Sequence, residues 1–349
     1  MSMRARKAVL RTSLTVAGIL SWAGAQAQDA GSVGRFYQGK QIGIVVYSDA
    51  GSTYDLYARL LGRHMGKHIP GNPAMIAQNM PGAGGLKATE YLYNIAPKDG
   101  TVIGTISRGN PFEPLLSDAD VKFDPLKFTW LGSMNRETSV AISWFSTPVK
   151  TVEDLMKREL LVPGTGAGAD SEIIPLAINN LVGTKFKIIR GYSSTTRAAL
   201  AMEAGELEGI GYWSWSAIVS GRPDWIRDKK LNVLFQTGEK DLADLAGVPK
   251  IRDFPKAAVD RQALNVLLAR EILGRPFVAP PGLPPERAAA LKTAFEAVFK
   301  DPDFIAEAKK IGADVELVTG DEVTTLLRQV FAYPKPVIER TKTALKRSE

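Results

Sequence analysis

Cysteine is missing from the sequence of 349 residues, and histidine occurs only twice. The absence of cysteine excludes disulfide bonds, thiol nucleophiles, cysteine-ligated metals and a lipid-modified cysteine after a signal segment. His64 and His68 have the i, i+4 spacing of a zinc-binding helix, but the stretch reads H-M-G-K-H and lacks the glutamate of the H-E-x-x-H motif. We therefore expect structural histidines and no bound metal.

Motifs of nucleotide and hydrolase chemistry are also missing. The Walker A pattern G-x-x-x-x-G-K-[ST] and the G-x-S-x-G nucleophile elbow do not occur. Gly164–Gly168 reads G-x-G-x-G. However, a dinucleotide-binding unit carries an acidic residue about 20 positions later, and Lys185–Arg190 contains only basic and apolar residues. These absences argue against an enzyme and against a bound cofactor.

The N-terminus carries an unbalanced positive charge. Four basic residues precede a short apolar run and a small-residue sequence: Arg4, Arg6, Lys7 and Arg11, then Leu14–Ala23, then Ala25-Gln26-Ala27. This layout predicts a secretory signal peptide at residues 1–27, because the apolar run is shorter than the roughly 20 residues that span a bilayer. Cleavage removes four of the 44 Lys and Arg residues and none of the 37 Asp and Glu residues, which lowers the net charge from +7 to +3. We expect a periplasmic protein that binds no nucleic acid.

Short apolar segments alternate with amphipathic segments from residue 40 onward, which predicts parallel α/β units. The first series has strands at Gln41–Tyr47, around Ile76 and at Thr101–Ile106, with helices at Tyr54–His68 and Leu86–Asn94. The second series has strands at Leu160–Val162, Lys187–Arg190, Leu207–Tyr212 and Leu231–Gln236, with helices at Thr151–Arg158, Ser171–Val182 and Thr195–Ala204. Helices are also predicted at Glu286–Lys300, at Asp303–Ile311 and from Asp321 onward.

Four loops share one design, in which small and hydroxyl residues follow a strand and precede a helix. They are Tyr47–Asp55, Asn79–Gly85, Pro163–Ser171 and Gly191–Thr196. A helix N-terminus offers unpaired N–H groups and the positive end of a dipole, so each loop is a candidate anion site. Glycine-rich turns are also ordinary connections in α/β proteins. Four of them in one chain favour a ligand site at the carboxyl ends of the strands.

The second loop, N-M-P-G-A-G-G at Asn79–Gly85, and the sequence A-P-K-D-G-T at Ala96–Thr101 resemble two signatures of the Bug/TctC family. These are the substrate-binding proteins of tripartite tricarboxylate transporters. The resemblance continues through Gly164–Gly168, the loop at Gly191 and V-A-P-P-G-L-P at Val278–Pro284. It implies an α/β fold of the type II periplasmic-binding-protein kind, with two lobes, two crossings between them and a ligand cleft. It also implies a small carboxylate ligand and membrane permease subunits as partners.

The resemblance further implies which residues contact the ligand. The first lobe contributes Ser48, Gly51, Ser52 and Thr53, and the second contributes Thr165, Ala167, Gly168, Tyr192 and Ser193. Neighbouring residues complete our set of candidates, namely Tyr47, Gly84, Gly166, Asp170 and Trp213.

The first loop departs from the family pattern P-F-x-x-G-G-S-x-D, because it has one glycine and an additional acid, Asp49. A carboxylate close to a bound carboxylate is repulsive. Asp49 and Asp170 therefore either face solvent or pair with a cationic part of the ligand.

Two further groups of residues have an ordinary and a functional interpretation. Trp213 and Trp215 follow a predicted strand, where core packing is the default for large aromatic residues, although one indole could line the cleft. Arg108, Arg136, Arg190 and Arg197 are possible partners for a carboxylate. We favour Arg190 and Arg197 because they flank the fourth loop.

Together these observations predict a monomer with one lobe at residues 34–136 plus 277–349 and another at residues 137–276. We expect an extracytoplasmic solute-binding protein that captures a small carboxylate for a tripartite tricarboxylate-type permease. The alternatives are a ligand-sensing periplasmic module that signals to a membrane receptor, and an enzyme on the same scaffold.

Overall fold

The computed structural model describes residues 31–117, 120–166, 168–192 and 194–346. The predicted signal peptide at residues 1–27 lies outside these ranges, as do the candidate ligand residues Ala167 and Ser193. Within the described ranges, no helix is both long and apolar enough to cross a membrane.

Strands and helices alternate along most of the chain. The strands are β1 (Gln41–Val46), β2 (Ala74–Asn79), β3 (Val102–Thr105), β4 (Thr129–Ser133), β5 (Ser139–Trp144), β6 (Leu160–Gly164), β7 (Phe186–Arg190), β8 (Gly209–Ser214), β9 (Leu231–Gln236), β10 (Pro276–Ala279) and β11 (Val318–Thr319). The helices are α1 (residues 31–37), α2 (Thr53–Met65), α3 (Leu86–Asn94), α4 (Glu113–Leu116), α5 (Val152–Lys157), α6 (Asp170–Val182), α7 (Thr195–Glu203), α8 (Trp215–Gly221), α9 (Pro223–Arg227), α10 (Ala258–Leu268), α11 (Pro285–Val298), α12 (Pro302–Lys310), α13 (Gly320–Phe331) and α14 (Lys335–Ala344).

The first lobe is built on a six-stranded sheet with the order β11-β4-β10-β3-β1-β2. Strands β2, β1 and β3 are parallel, as predicted. Strand β10 runs antiparallel between β3 and β4, because the chain re-enters this sheet from the other lobe and not through a helical crossover.

The second lobe has a three-stranded sheet with the order β8-β5-β9 and a two-stranded sheet of β6 and β7. Only β6 and β7 are parallel, and β5 is antiparallel to both of its neighbours. The prediction of parallel units is therefore wrong for β8 and β9. The strand that separates them, β5, was not predicted, because its sequence S-V-A-I-S-W has no glycine or proline at its ends.

Local capping fixes where the helices at the first sheet begin. The N–H of Asp55 donates to the Oγ of Ser52 at 3.2 Å, so Ser52 is the N-cap of α2, as its S-x-x-D spacing predicts. Helix α3 begins after Gly84 and Gly85, which both have positive φ angles. Each helix therefore starts after a short loop that follows the carboxyl end of β1 or β2.

His64 and His68 connect α2 to α12. The Nε2 of His64 lies 2.6 Å from Glu307, and the Nε2 of His68 lies 3.1 Å from Asp301. Among the described residues, no group of three or more His, Cys, Asp or Glu side chains is arranged to hold a metal ion. The histidines thus make hydrogen-bond contacts that join two elements of the first lobe.

The C-terminal helix α14 packs on the second lobe. The Nδ2 of Asn180 in α6 donates to the carbonyl oxygen of Ala344 at 2.8 Å, and the Nε of Arg340 donates to Asp260 in α10 at 2.6 Å. The predicted boundary, which assigned residues 277–349 to the first lobe, therefore needs correction at its end. The apolar face of α14 is covered by α6 and α10, so the chain passes between the lobes a third time.

Candidate functional site

A cavity of about 620 Å³ lies between the two lobes, and we call it the cleft cavity. Its first-lobe wall consists of the loops that follow β1, β2 and β3, which meet at one edge of the sheet because these strands are parallel. Its second-lobe wall consists of the loop before α6, the start of α7 and the end of β8. The lining residues are Tyr47–Tyr54, Pro81, Gly82, Gly84, Gly85, Ser107–Asn110, Glu113, Thr165, Gly168–Ser171, Ser194–Thr196, Tyr212–Ser214, Ala217 and Arg275.

The first loop is held by the buried carboxylate of Asp55. One of its oxygens accepts the N–H of Gly51 at 2.9 Å, and the other accepts the Nδ2 of Asn79 at 2.9 Å. Burial raises the pKa of Asp55, but hydrogen bonds from Arg59, Gly51 and Asn79 outweigh burial and hold the pKa below its usual value. The loop is thus pre-formed, and the Gly51 amide already has an acceptor.

Hydroxyl groups face the cleft cavity from both lobes. The Oγ atoms of Ser48 and Ser52 are 2.6 Å apart on the first lobe. On the second lobe, the Oγ1 of Thr165 lies 2.7 Å from the Oγ of Ser171. Hydroxyls both donate and accept hydrogen bonds, so these pairs can reorient toward a bound polar group.

An ion-pair cluster crosses the cleft at Asp170, the first residue of α6. The Nε of Arg108, from the first lobe, donates to Oδ2 of Asp170 at 3.1 Å, and Arg270 contacts Oδ1. Burial raises the pKa of Asp170, but the charges of Arg270 and Arg108 outweigh burial and hold the pKa below its usual value. Asp170 is therefore ionised at neutral pH.

Glu271 connects the same cluster to the second lobe. It accepts hydrogen bonds from Arg108 at 3.0 Å and from Thr237 at 2.6 Å, and the hydroxyl of Tyr212 donates to it as well. Glu271 is 2% exposed. The hydrogen bonds from these three donors hold the Glu271 side chain in one position.

Arg275 is the second basic residue that lines the cleft cavity. It is 2% exposed, its NH2 lies 3.3 Å from Glu137, and its guanidinium carbon lies 4.7 Å from the centroid of the Tyr54 ring. Its Nε has no hydrogen-bond partner within the described residues. A buried donor without an acceptor costs free energy, so the charge of Arg275, and not a free N–H at the cavity surface, is what this residue offers to a ligand.

Ten of the predicted site residues line the cleft cavity, namely Tyr47, Ser48, Gly51, Ser52, Thr53, Gly84, Thr165, Gly168, Asp170 and Trp213. Gly166 and Tyr192 do not line it, and the Tyr192 ring packs against the core of the second lobe. Ala167 and Ser193 lie outside the described residues. Contact between any of these residues and a ligand stays a prediction.

The favoured arginines are not at the cleft cavity. Arg190 bonds to Glu172 at 2.8 Å and Arg197 is exposed, whereas Arg108, which we ranked lower, lines the cavity. Arg136 pairs with Glu322 at 2.8 Å, away from the cleft cavity. Asp49 lines the cavity and is exposed to solvent, which is one of the two alternatives predicted for it. Asp170 matches neither alternative, because it pairs with arginines of the protein itself.

Other lining residues were missed by the sequence argument. Ser107–Asn110 directly follow β3, so the rule that pointed to the loops after β1 and β2 could have found them. Arg275 lies in the segment that returns from the second lobe, and no motif marks it. Its position depends on how the two lobes meet.

A second cavity of about 660 Å³ lies between the lobes on the other side of Trp215. Six acidic residues line it, namely Glu137, Glu239, Asp244, Glu271, Asp314 and Glu316, against the two basic residues Arg136 and Lys240. Both basic residues pair with Glu316. This lining disfavours an anion, so the cleft cavity is the better candidate site for one.

Comparison with known proteins identifies the family. A family model described as the tripartite tricarboxylate transporter family receptor matches residues 58–342. The UPF0065 protein in the gbd 5' region of Cupriavidus necator is 21% identical over 310 residues, which cover 86% of this chain and 87% of that protein.

Solved structures with a similar fold include the periplasmic binding protein BugD, with a TM-score of 0.67 at 19% identity over 88% of this chain and 98% of that one. MatC from Rhodopseudomonas palustris, solved with bound malate, has a TM-score of 0.66 at 18% identity, over 88% and 99% of the two chains. The R. palustris protein Rpa4515, solved with adipate, has a TM-score of 0.66 at 19% identity, over 86% and 97%. The predicted two-lobed α/β fold is confirmed.

Proposed function

The chain belongs to the tripartite tricarboxylate transporter receptor family, and on this basis we propose that it is a periplasmic solute-binding protein for a small carboxylate. In this proposal it delivers the carboxylate to the permease subunits of a tripartite tricarboxylate-type transporter and catalyses no reaction. The observation that carries the proposal is the cleft cavity, which is lined by hydroxyl-rich loops from both lobes and by the two buried arginines Arg108 and Arg275.

The ligand's carboxylate accepts hydrogen bonds from hydroxyls of the two walls, such as Ser52 and Thr165, and is attracted by the positive charge of Arg275. Charge-assisted hydrogen bonds of this kind are about twice as strong as neutral ones. Two solved relatives hold carboxylates, malate in one and adipate in the other. That similarity in fold supports the same class of ligand here.

Binding is coupled to closure of the lobes. Since the walls of the cleft cavity belong to different lobes, a ligand that bonds to both walls stabilises the closed arrangement relative to the open one. The permease then recognises the closed form. A ligand that contacts one wall alone shifts no population, because it has no preference between the two arrangements.

A thermal-shift screen of the exported chain against mono-, di- and tricarboxylates tests the proposal. A ligand at about 100 times its Kd adds about 2.7 kcal/mol to the free energy of unfolding, which gives a clear rise in Tm. No rise with any acid, but a rise with cationic or neutral solutes, would overturn the carboxylate assignment.

Thr165→Val tests the wall of the second lobe, because it removes a hydroxyl and keeps the shape of the side chain. We expect a weaker affinity for the acid found in the screen. Thr324→Val is the matched control, since the Thr324 hydroxyl bonds to the Gly320 carbonyl at 2.8 Å in α13, away from the cleft cavity. Equal affinities of the two variants would remove Thr165 from the site.

Uptake measurements separate transport from sensing. Deletion of the gene should abolish uptake of the bound acid by intact cells. If uptake persists while a transcriptional or motility response to the acid is lost, the protein is a sensory module and not a transport receptor.

A further inference from the structure

Asp170 occupies a position in the cleft cavity that otherwise suits a ligand's carboxylate. It is the first residue of α6, a helix of 13 residues, and follows the loop after β6. The N-terminus of a helix attracts negative charge through its unpaired N–H groups and its dipole. The side chain of Asp170 is 21% exposed and lines the cleft cavity.

Two buried arginines hold this carboxylate from opposite sides. The side chain of Arg270 is 2% exposed and contacts Oδ1, while that of Arg108 is 7% exposed and bonds to Oδ2 at 3.1 Å. This is the arrangement in which a protein binds the carboxylate of a ligand, but the carboxylate here is part of the chain.

The other charges that line the cleft cavity disfavour a ligand with two anionic groups. The two basic residues that line the cleft cavity are already paired, Arg108 with Asp170 and Glu271, and Arg275 with Glu137. The lining also contains the carboxyl groups of Asp49 and Glu113. A dianion would add two negative charges to a lining in which Arg108 already has two carboxylate partners, whereas Arg275 has one and can attract a single ligand carboxylate.

A cationic ligand group is disfavoured at the same position. Each oxygen of Asp170 already faces a guanidinium group, so an ammonium placed there would meet two positive charges at close range.

We propose that Asp170 acts as a built-in carboxylate, so that the ligand of this protein carries one carboxylate and a neutral remainder, and not two carboxylates. This inference rests on the proposed function and specifies its ligand class. The single carboxylate binds Arg275 and the hydroxyl-rich loops, and the neutral part of the ligand lies against Asp170 and its arginines.

The experiment compares acids of matched shape by isothermal titration calorimetry on the exported chain. The pairs are hexanoate and adipate, 2-hydroxybutanoate and malate, and benzoate and terephthalate. We expect the wild-type protein to bind at least one monocarboxylate ten times more tightly than its dicarboxylate partner.

Asp170→Asn should reverse this preference, because it leaves Arg108 and Arg270 without the aspartate charge. We expect the affinity for the partner dicarboxylate to rise at least tenfold over wild type. Asp303→Asn is the matched control, since Asp303 lies in the first turn of α12 and its side chain is 80% exposed. It should leave all affinities unchanged.

The outcomes separate the inference from the proposed function. Wild-type protein that binds a dicarboxylate as tightly as its monocarboxylate partner, or more tightly, overturns the inference and leaves the carboxylate-binding function intact. This comparison decides even if Asp170→Asn fails to fold. If no acid of either class binds wild-type protein at millimolar concentration, the proposed function fails and the inference fails with it.

Discussion

The indole nitrogen of Trp225 donates a hydrogen bond of 2.8 Å to the carboxylate of Glu203, and this bond joins α9 to the end of α7. Trp225 is fully buried and packs edge-on against Trp144. Trp215 is 6% exposed in the same core cluster, but its Nε1 has no hydrogen-bond partner within the described residues. The second lobe thus buries two indoles of which only one has its N–H satisfied.

Trp225→Phe should therefore destabilise the protein more than Trp215→Phe. Both changes remove the same atoms, but only the first breaks a hydrogen bond to a charged group, which we expect to add about 2 kcal/mol to the loss. Urea unfolding followed by circular dichroism measures both free energies. Equal losses would mean that the bond to Glu203 contributes nothing.

Gly85→Ala should impair both stability and binding. Gly85 has a φ of +95°, and a Cβ there would lie 2.8 Å from the Tyr47 ring and 2.9 Å from the Asn110 amide, which both line the cleft cavity. The matched control is Gly84→Ala, where φ is +61° and a Cβ would meet nothing within 4 Å. Both variants carry the strain of a left-handed residue, about 1 to 2 kcal/mol, but only Gly85→Ala displaces the wall. Thermal melts and titration with the bound acid should show a larger loss of Tm and of affinity for Gly85→Ala than for Gly84→Ala. Similar losses for the two variants would contradict the close approach of Gly85 to Tyr47 and Asn110.

Trp213→Leu should weaken ligand binding, whereas Trp215→Leu should mainly lower stability. Trp213 lines the cleft cavity and is half-buried, while Trp215 is buried and does not line this cavity. Calorimetric titration and Tm values of the two variants separate these effects. If Trp213→Leu lowers the Tm without changing affinity, its indole belongs to the core alone.

Asp301→Asn should lower the free energy of unfolding at neutral pH. The Asp301 side chain is 4% exposed and lies 2.7 Å from Lys67, 3.1 Å from His68 and 3.9 Å from His64. The neighbouring acid Asp303 also pairs with Lys67, and Glu307 contacts His64. A hydrogen bond from Lys67 lowers the pKa of Asp301 against the effect of burial, which raises it, and His68 lowers it further. The folded pKa is thus below that of the unfolded chain, which is about 3.9, so the stabilisation is present above this pH and is lost as the pH falls through the folded value.

Urea unfolding between pH 7 and pH 3 tests this dependence. The difference between wild type and Asp301→Asn should be present at pH 7 and should shrink as the pH falls below about 4. A difference that grows in acid would have the wrong sign for a carboxylate with a lowered pKa.

Local signals in the sequence predict several elements well. The helix Leu86–Asn94 and the strand Leu231–Gln236 are predicted to the residue, because glycines precede the first and apolar residues predominate in the second. Strand β5 was missed because no glycine or proline lies directly at either end of it, although it is the central strand of its sheet. Its antiparallel pairing with β8 and β9 depends on contacts between segments far apart in sequence, which local patterns do not contain.

Some residues of the candidate site could be predicted from local sequence, and others could not. The loops after β1, β2 and β6 could be identified because each places small residues before a helix N-terminus. The partners of Asp170 could not, because Arg108, Arg270 and Asp170 come from three distant segments that meet only when the lobes are assembled. Arg190 was favoured for its place beside a loop, yet its guanidinium bonds to Glu172 within its own lobe.

The packing of α14 on the second lobe also has a practical use. Val33 and Tyr37 of α1 are buried in the core of the first lobe, whereas the carbonyl oxygen of Lys346 accepts a hydrogen bond of 2.9 Å from Asn180 of the second lobe. Fluorophores attached near residues 31 and 346 would therefore report on different lobes. Resonance energy transfer between them would change as the lobes close, which would make the chain an optical sensor for whichever acid it binds.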